Sequence, residues 1–179
     1  MVHDKIQKIP FRRKREQKTN YKKRLALLKS GKERLVVRVF NKHILAQLIK
    51  YSPDGDKVIA SAYSKDLENH GWKQSLSNTS AAYLTGLLLA KKVKKGEAVL
   101  DTGLQRVTKG SKIYACLKGC IEGGLKIPSA EDVFPSDERI KGEHVSGYAE
   151  KAAKTQFTKV KAKDIVKDFE AAKASIMKV

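Results

Sequence analysis

Asp101 closes the run "EAVLD" and is followed by Thr102 and Gly103, the kind of strand end where α/β enzymes place a catalytic carboxylate. Metal-dependent phosphoryl chemistry needs two or more carboxylates converging on one site. The other acids fall in loops or on polar helix faces, so a turn-making Asp is the simpler reading. The run "GLQRVTKGSK" comes nearest to a phosphate loop, because Gly110, Ser111 and Lys112 open a helix, but it lacks the Walker order G-x-x-x-x-G-K-[ST]. A helix N-terminus favours anions, so Ser111 and Lys112 are candidates to hold one phosphate of a larger ligand. The alternative is a plain N-cap beside a solvated lysine. Cys116 and Cys120 lie at helical spacing with Ile113, Leu117 and Ile121, the pattern of core packing. His3, His43, His70 and His144 are scattered and lack the paired spacing of a zinc module. No Ser, His or Cys grouping forms a nucleophile signature. Neither a metal, a cofactor nor a small-molecule substrate is expected.

Charge carries a stronger signal. "FRRKREQKTNYKKR", residues 11 to 24, holds eight Lys or Arg against one Glu. The whole chain of 179 residues has 38 Lys plus Arg and 19 Asp plus Glu, a net charge of +19. Through residue 34 there are 13 basic and 3 acidic residues, a net +10, so about half of the excess sits in the first fifth of the chain. A solvated face ordinarily mixes both signs; this run does not, and a polyanion partner is implied. An acidic membrane would call for an apolar anchor or large hydrophobes on an amphipathic helix, and the N-terminus has neither these nor a signal-peptide core. The chain therefore reads as cytosolic and as a binder of nucleic acid. Arginines interleaved with Phe11, Asn20 and Tyr21 offer bidentate phosphate contacts and groups that stack on bases or bond to sugars. With no helix-turn-helix, zinc finger or RNP aromatic pair, structured RNA read through backbone and shape fits better than a DNA groove.

The elements that must position these residues follow from pattern. From Thr19 or Asn20 as N-cap, "YKKRLALLKSG" predicts a short helix with Tyr21, Leu25 and Leu28 as a narrow apolar stripe and Gly31 as its end. "ERLVVRVF", "HILAQLIKY" and "KVIASAYS" predict an antiparallel meander, its last turn marked by "SPDGD". Alternation puts Leu35, Val37 and Val39 on one face of the first strand and Arg34, Val36, Arg38 and Phe40 on the other. The link "NKH", Asn41 to His43, exposes a Lys and a His. A helical piece around "KDLENHGW" precedes a helix capped by Asn78 or Thr79 with Leu84, Leu87 and Leu88 as its apolar set. "EAVLD" is a brief buried strand, and Ser111 caps the cysteine-bearing helix, which stops at Gly123 and Gly124. Helix, strand and helix after a meander indicate an α/β sandwich with a mixed sheet. In the Lys-rich tail, Ile165, Phe169, Ala172 and Ile176 predict a last amphipathic helix.

Several phrases occur in series. "PFRRKREQKTNYKKRLALLKSGKERLVVRVFNKHILAQLI", "ASAYSKDLENHGW", "NTSAAYLTGLLLAKK", "AVLDTGL" and "DERIKGEHVSGYAE" together resemble the eighteenth family of large-subunit ribosomal proteins, binders of 5S ribosomal RNA, over roughly residues 5 to 150. The long basic N-terminus and "IKGEHV" are similar to the archaeal and eukaryotic branch. The resemblance implies a ribonuclease-H-like α/β fold without nuclease activity. It also implies a place in the central protuberance of the large subunit, with 5S rRNA, large-subunit rRNA and neighbouring ribosomal proteins as partners. Carried over by position, the RNA-binding residues are Arg12, Arg13, Lys14, Arg15 and Lys18 in the arm and Asn20, Tyr21, Lys22, Lys23 and Arg24 at the first helix. On the strands and their link they are Arg34, Arg38, Asn41, Lys42, His43 and Gln47, and in "DERIKGEHV" Arg139, Lys141 and His144.

The expected organisation is a basic RNA-binding arm (1–18), a globular α/β domain (19–127), an irregular extension with short helices (128–150) and a Lys-rich helical tail (151–179). The arm is expected to order on RNA, since like charges without apolar partners do not offset their own ordering cost. The competing expectation is a metal-dependent nuclease on the same fold, with Asp101 as a catalytic carboxylate.

Overall fold

Three branched and aromatic runs form the meander, β1 Glu33–Val39, β2 Ile44–Lys50 and β3 Lys57–Tyr63. They are antiparallel, with Val36 opposite Gln47 and Gln47 opposite Ser61. In this computed structural model, which describes residues 9–151 and 162–178, β4 Gly96–Asp101 then adds parallel to β1, and β5 Leu125–Lys126 parallel to β4. The order is β3-β2-β1-β4-β5, the mixed sheet of an α/β protein. A parallel partner requires a crossover, supplied first by α3 Thr79–Val93 and then by α4 Lys112–Glu122. The first eight residues of the arm and residues 152–161 of the Lys-rich tail lie outside the described residues.

Period-two alternation sorts the two faces of the sheet. Leu35, Val37, Ile44, Ala46 and Leu48 are buried beneath the helices. Arg34, Val36, Arg38 and Gln47 share the opposite face.

Helix α3 is more deeply enclosed than the stripe of Leu84, Leu87 and Leu88 implies. Every residue from Ser80 to Ala90 is buried, because sheet, α4 and a late helix all pack on it. Its cap is Asn78, whose Oδ1 accepts from the Ala81 N–H at 2.7 Å. Small residues bring α3 and α4 together backbone to backbone: a Cβ on Gly86 would stand 2.0 Å from the Cys116 carbonyl oxygen, and one on Gly119 2.1 Å from that of Tyr83. Both cysteines are buried, and the Cys120 thiol reaches the Gly86 carbonyl at 3.4 Å. A hydrogen bond with Cys116 and complete burial push the Cys120 thiol well up, so it stays protonated.

Beyond β5 come α5 Asp137–Lys141, α6 Glu143–Lys151 and α7 Ile165–Met177. The four apolar positions of α7 (Ile165, Phe169, Ala172, Ile176) are all buried. Phe169 meets the Tyr83 ring at 5.6 Å, and the Lys173 ammonium lies 5.0 Å from the same ring centroid. Burial, reinforced by its hydrogen bond to the Glu122 carboxylate at 2.5 Å, holds the Tyr83 hydroxyl far above the usual tyrosine range.

Two helices precede the sheet, α1 Arg12–Arg15 and α2 Tyr21–Leu28. The narrow apolar stripe expected on α2 does not dock it: no residue of α2 is buried, and Leu25 is 58% exposed. With one short stripe and a basic remainder, the helix is attached by polar contacts instead. Among the described residues no helix is long and apolar enough to cross a membrane.

Candidate nucleic-acid interface

The arginines that alternation places on one face of β1 reach the end of β4 through the parallel register that sets Val36 beside Asp101. Arg34 donates through Nη1 to Asp101 Oδ2 at 2.8 Å and through Nη2 to Asp56 Oδ2 at 2.6 Å. Arg38 donates through Nη1 to the Val37 and Asp101 carbonyls, both at 2.8 Å, and its Nη2 lies 3.6 Å from Asp101 Oδ1. The same Oδ1 accepts from the Gly103 N–H at 2.8 Å, making a turn. Gly103 is required there: its φ is +59°, and a Cβ would come within 2.9 Å of the Arg38 guanidinium carbon.

Asp56 ties α2 to this network. It ends the "SPDGD" turn and takes two bonds from Arg24, Nη2 to Oδ1 and Nη1 to Oδ2, each 2.9 Å, opposite the bond from Arg34. On the far side of α2, Lys23 donates to Thr102 Oγ1 at 2.7 Å and to the Gly103 carbonyl at 3.3 Å. The helix start is fixed by Asn20, whose Oδ1 accepts from the Lys23 N–H at 3.0 Å.

Partial burial pushes the Asp56 carboxyl up, but the hydrogen bonds and charges of Arg24 and Arg34 outweigh it and leave the group below its ordinary 3.8. A carboxylate depressed in the folded state stabilises above its unfolded pKa and loses that contribution as pH falls through the folded one. The tether is therefore complete at neutral pH and is lost only in acid, as pH falls through a folded-state value that lies below 3.8. Asp56→Asn should release it at neutral pH: trypsin should cut after Lys22, Lys23 and Arg24 faster than in the parent chain. Unchanged cutting would show that α2 is held by something else.

The outcome is a cleft of about 150 Å³ at the end of the sheet, lined by the six cations Arg13, Lys18, Lys23, Arg24, Arg34 and Arg38, by Thr19, Asn20 and Gly103, and by the single carboxylate Asp101. Confined cations at that density make a seat for phosphate oxygens.

Comparison with known proteins bears on what supplies them. Residues 5–97 and 91–130 match the family described as "Ribosomal large subunit proteins 60S L5, and 50S L18". The chain is 47% identical over 181 residues to the large ribosomal subunit protein uL18 of Methanobrevibacter smithii, covering 94% of each. It is 50% identical over 147 residues to that of Korarchaeum cryptofilum, covering 80% of this chain and 75% of the relative. Against that of Methanoregula boonei it is 45% identical over 173 residues, covering 95% and 94%. The chain belongs to the uL18 family.

A uL18-family chain is a structural constituent of the large ribosomal subunit in the cytoplasm, and not an enzyme. The engagement of Asp101 is consistent with that: both its oxygens hold the arginines and the turn, and the next carboxylate, Asp56, lies across Arg34. Among the described residues no three His, Cys, Asp or Glu come together as a metal site.

The expected RNA-binding residues of the uL18 chain divide by position. Arg12, Arg13, Lys14, Arg15, Lys18, Lys22 and Lys23 are exposed around the arm and α2. Arg12 and Lys18 flank Glu16 at 3.6 and 2.9 Å, and Arg13 donates to Thr19 Oγ1 at 2.8 Å. Tyr21 is half-buried against Phe11. Arg34 lines the cleft but is only 3% exposed and sits between two carboxylates, so its guanidinium is already engaged. Asn41 and Lys42 are exposed in the link that Phe40 N–H closes on the His43 carbonyl at 2.8 Å. His43 is not displayed as expected, since its ring packs 5.0 Å from that of Tyr63 and its Nδ1 is buried. Gln47 is part-exposed on the arginine-bearing face.

Ser111 does not cap α4 with its side chain, and its Oγ is buried without a hydrogen-bond partner among the described residues. Lys112 beside it is exposed, near Gln105 and Arg106 and apart from the cleft. Arg139, Lys141 and His144 are exposed on α5 and α6, which pack with α3 and α7 in the helical layer. Pattern reasoning missed Asp56, legible only as a turn residue. It also missed Gln105, whose side chain brackets Val39 by accepting from its N–H and donating to its carbonyl at 3.3 and 2.7 Å.

Proposed function

We propose that this ribosomal protein binds 5S ribosomal RNA and helps attach it to the large-subunit rRNA in the central protuberance. The observation that carries the RNA reading is the six-cation cleft, held open by Asp101 and Asp56 and continued by the exposed cations of the arm. Lys14, Arg15, Lys22 and Lys42 supply phosphate contacts, while Arg38 and Gln47 present a defined surface of the sheet. Arg34 acts through Arg38 and the Asp101 turn. The strand order β3-β2-β1-β4-β5, an antiparallel meander extended by two parallel strands, supports a ribonuclease-H-like fold. Arm (1–18), α/β domain (19–127), extension (128–150) and tail (151–179) are its parts, with neighbouring ribosomal proteins meeting surfaces the RNA leaves free.

The test is a salt series of binding to 5S rRNA and to an unrelated structured RNA of equal length. Tighter binding to 5S rRNA is expected, and equal affinity would overturn the assignment. In the same series Lys14→Ala should lower affinity for both RNAs and reduce the salt slope by about 0.7 to 0.9. Gln47→Ala should cost about 1 to 3 kcal/mol on 5S rRNA alone, by analogy with the loss of a base contact.

A further inference from the structure

Thr19 and Asn20 form a low wall between two recesses. One is the cation-lined cleft; the other, of about 490 Å³, is lined by Tyr21, Leu104, Lys14 and Lys22 along with the wall itself. The second recess differs in kind, because its cations alternate with uncovered apolar groups. Leu104 is 55% exposed, and Phe11, outside the recess lining but with its ring centroid 5.2 Å from that of Tyr21, is 71% exposed. Isolated exposed hydrophobes are ordinary. Two aromatics in contact, one of them sharing a recess with an exposed Leu, in the most basic stretch of the chain, are not.

Such a ledge fits a ligand that is anionic at its edge and flat and apolar on its face. An apolar peptide would leave the lysines unanswered, and an acidic one would leave the rings uncovered. A nucleotide answers both. Resting on the reading that this protein binds RNA, we propose that the ledge of Phe11, Tyr21 and Leu104 takes an unpaired nucleobase, while a neighbouring phosphate of the same strand sits in the cleft across the Thr19–Asn20 wall. A paired base has its faces covered by its neighbours in the helix and offers none to the ledge, so the site selects a bulged or looped nucleotide. It would thus add a stacking contact to a surface otherwise built for phosphates.

Phe11→Trp in the full chain tests this directly, since the one native tryptophan, Trp72, is only 2% exposed and gives a constant background. Emission from the new indole should be quenched by 5S rRNA and by a single-stranded oligoadenylate, and scarcely by a blunt-ended RNA duplex at equal phosphate concentration. Phe11→Ala should weaken oligoadenylate binding by about ten-fold without altering the salt slope, and Phe11→Trp should not weaken it. Oligoadenylate binding with no quenching, or equal quenching by duplex, would overturn the base site while leaving RNA binding intact. Failure of every RNA to bind the parent chain would overturn the underlying reading as well.

Discussion

Gly86→Ala and Gly119→Ala are each expected to destabilise the fold by about 3 kcal/mol or more, at the upper end of what overpacking a core costs. The two glycines are where α3 and α4 cross, and the added methyls would lie 2.0 Å from the Cys116 carbonyl oxygen and 2.1 Å from that of Tyr83. Neither clash involves a side chain that can swing away, so relief requires the helices to separate. Separation opens space around Leu87 and Leu117, 1% exposed each, and loses their close contacts. Urea unfolding should show a lowered midpoint with little change in slope. Gly147→Ala is the control: it lies in α6 with nothing within 4 Å of the position of its Cβ, and Ala there should stabilise by up to about 1 kcal/mol through helix propensity. An unmoved midpoint for Gly86→Ala would show that the helices do not meet backbone to backbone.

The second large effect runs against net charge. Among the described residues Asp101 is the only carboxylate lining the cation-rich cleft, so removing its charge ought, by Coulomb's law alone, to strengthen RNA binding. The geometry implies the opposite for 5S rRNA. Arg34 and Asp101 have side chains 4% and 9% exposed, and breaking such a buried pair leaves a charge without its partner, typically at a cost of about 3 to 5 kcal/mol. The remaining bond to Asp56 places the cost of Asp101→Asn at the lower end of that range. The amide oxygen can still accept from Gly103 N–H, so the turn survives, and Arg38 keeps its bonds to the Val37 and Asp101 carbonyls, while Arg34 loses its charged partner at this end. Affinity for 5S rRNA should fall while affinity for unrelated RNA holds or rises. A gain on 5S rRNA would mean that Asp101 is merely a repulsive charge. Arg34→Met in the Asp101→Asn background should cost far less than in the parent chain, the mark of coupled residues.

The parts of this molecule that were legible beforehand are those set by neighbours in sequence. The meander, the Asn20 cap, the buried face of α7 and the turn role of Asp101 follow from alternation, helical period and local hydrogen bonding. The parts that were not legible depend on residues far apart. Arg34 looked like an exposed cation because nothing near it in sequence announces Asp101, 67 positions away. The full burial of α3 was hidden because its polar-looking side, Ser80 and Thr85 among small residues, serves close packing; the Thr85 hydroxyl turns back on the Ala81 carbonyl at 2.7 Å. The α2 stripe misled in the other sense. Three apolar residues at helical spacing make a stripe, yet an ion pair from Arg24 and hydrogen bonds from Lys23 attach the helix and leave Leu25 in water.

The position of β1 between β2 and β4 also sets a clock. During synthesis the cations of the arm are made before the sheet, and β1 can pair with β2 almost at once, but Asp101 arrives only after β3 and the whole of α3. Closing that interval is the slow, entropically costly step that parallel neighbours impose. Until it closes, the nascent chain carries its charge excess without the arrangement of the cleft, and an unshaped polycation binds polyanions in a salt-sensitive, sequence-independent way. Once β4 docks and Asp101 captures Arg34 and Arg38, the same charges take up the fixed arrangement of the cleft. On the proposed RNA reading, discrimination is thereby conditional on completed folding, and an RNA partner that needs the cleft would take up finished copies of the protein in preference to partial ones.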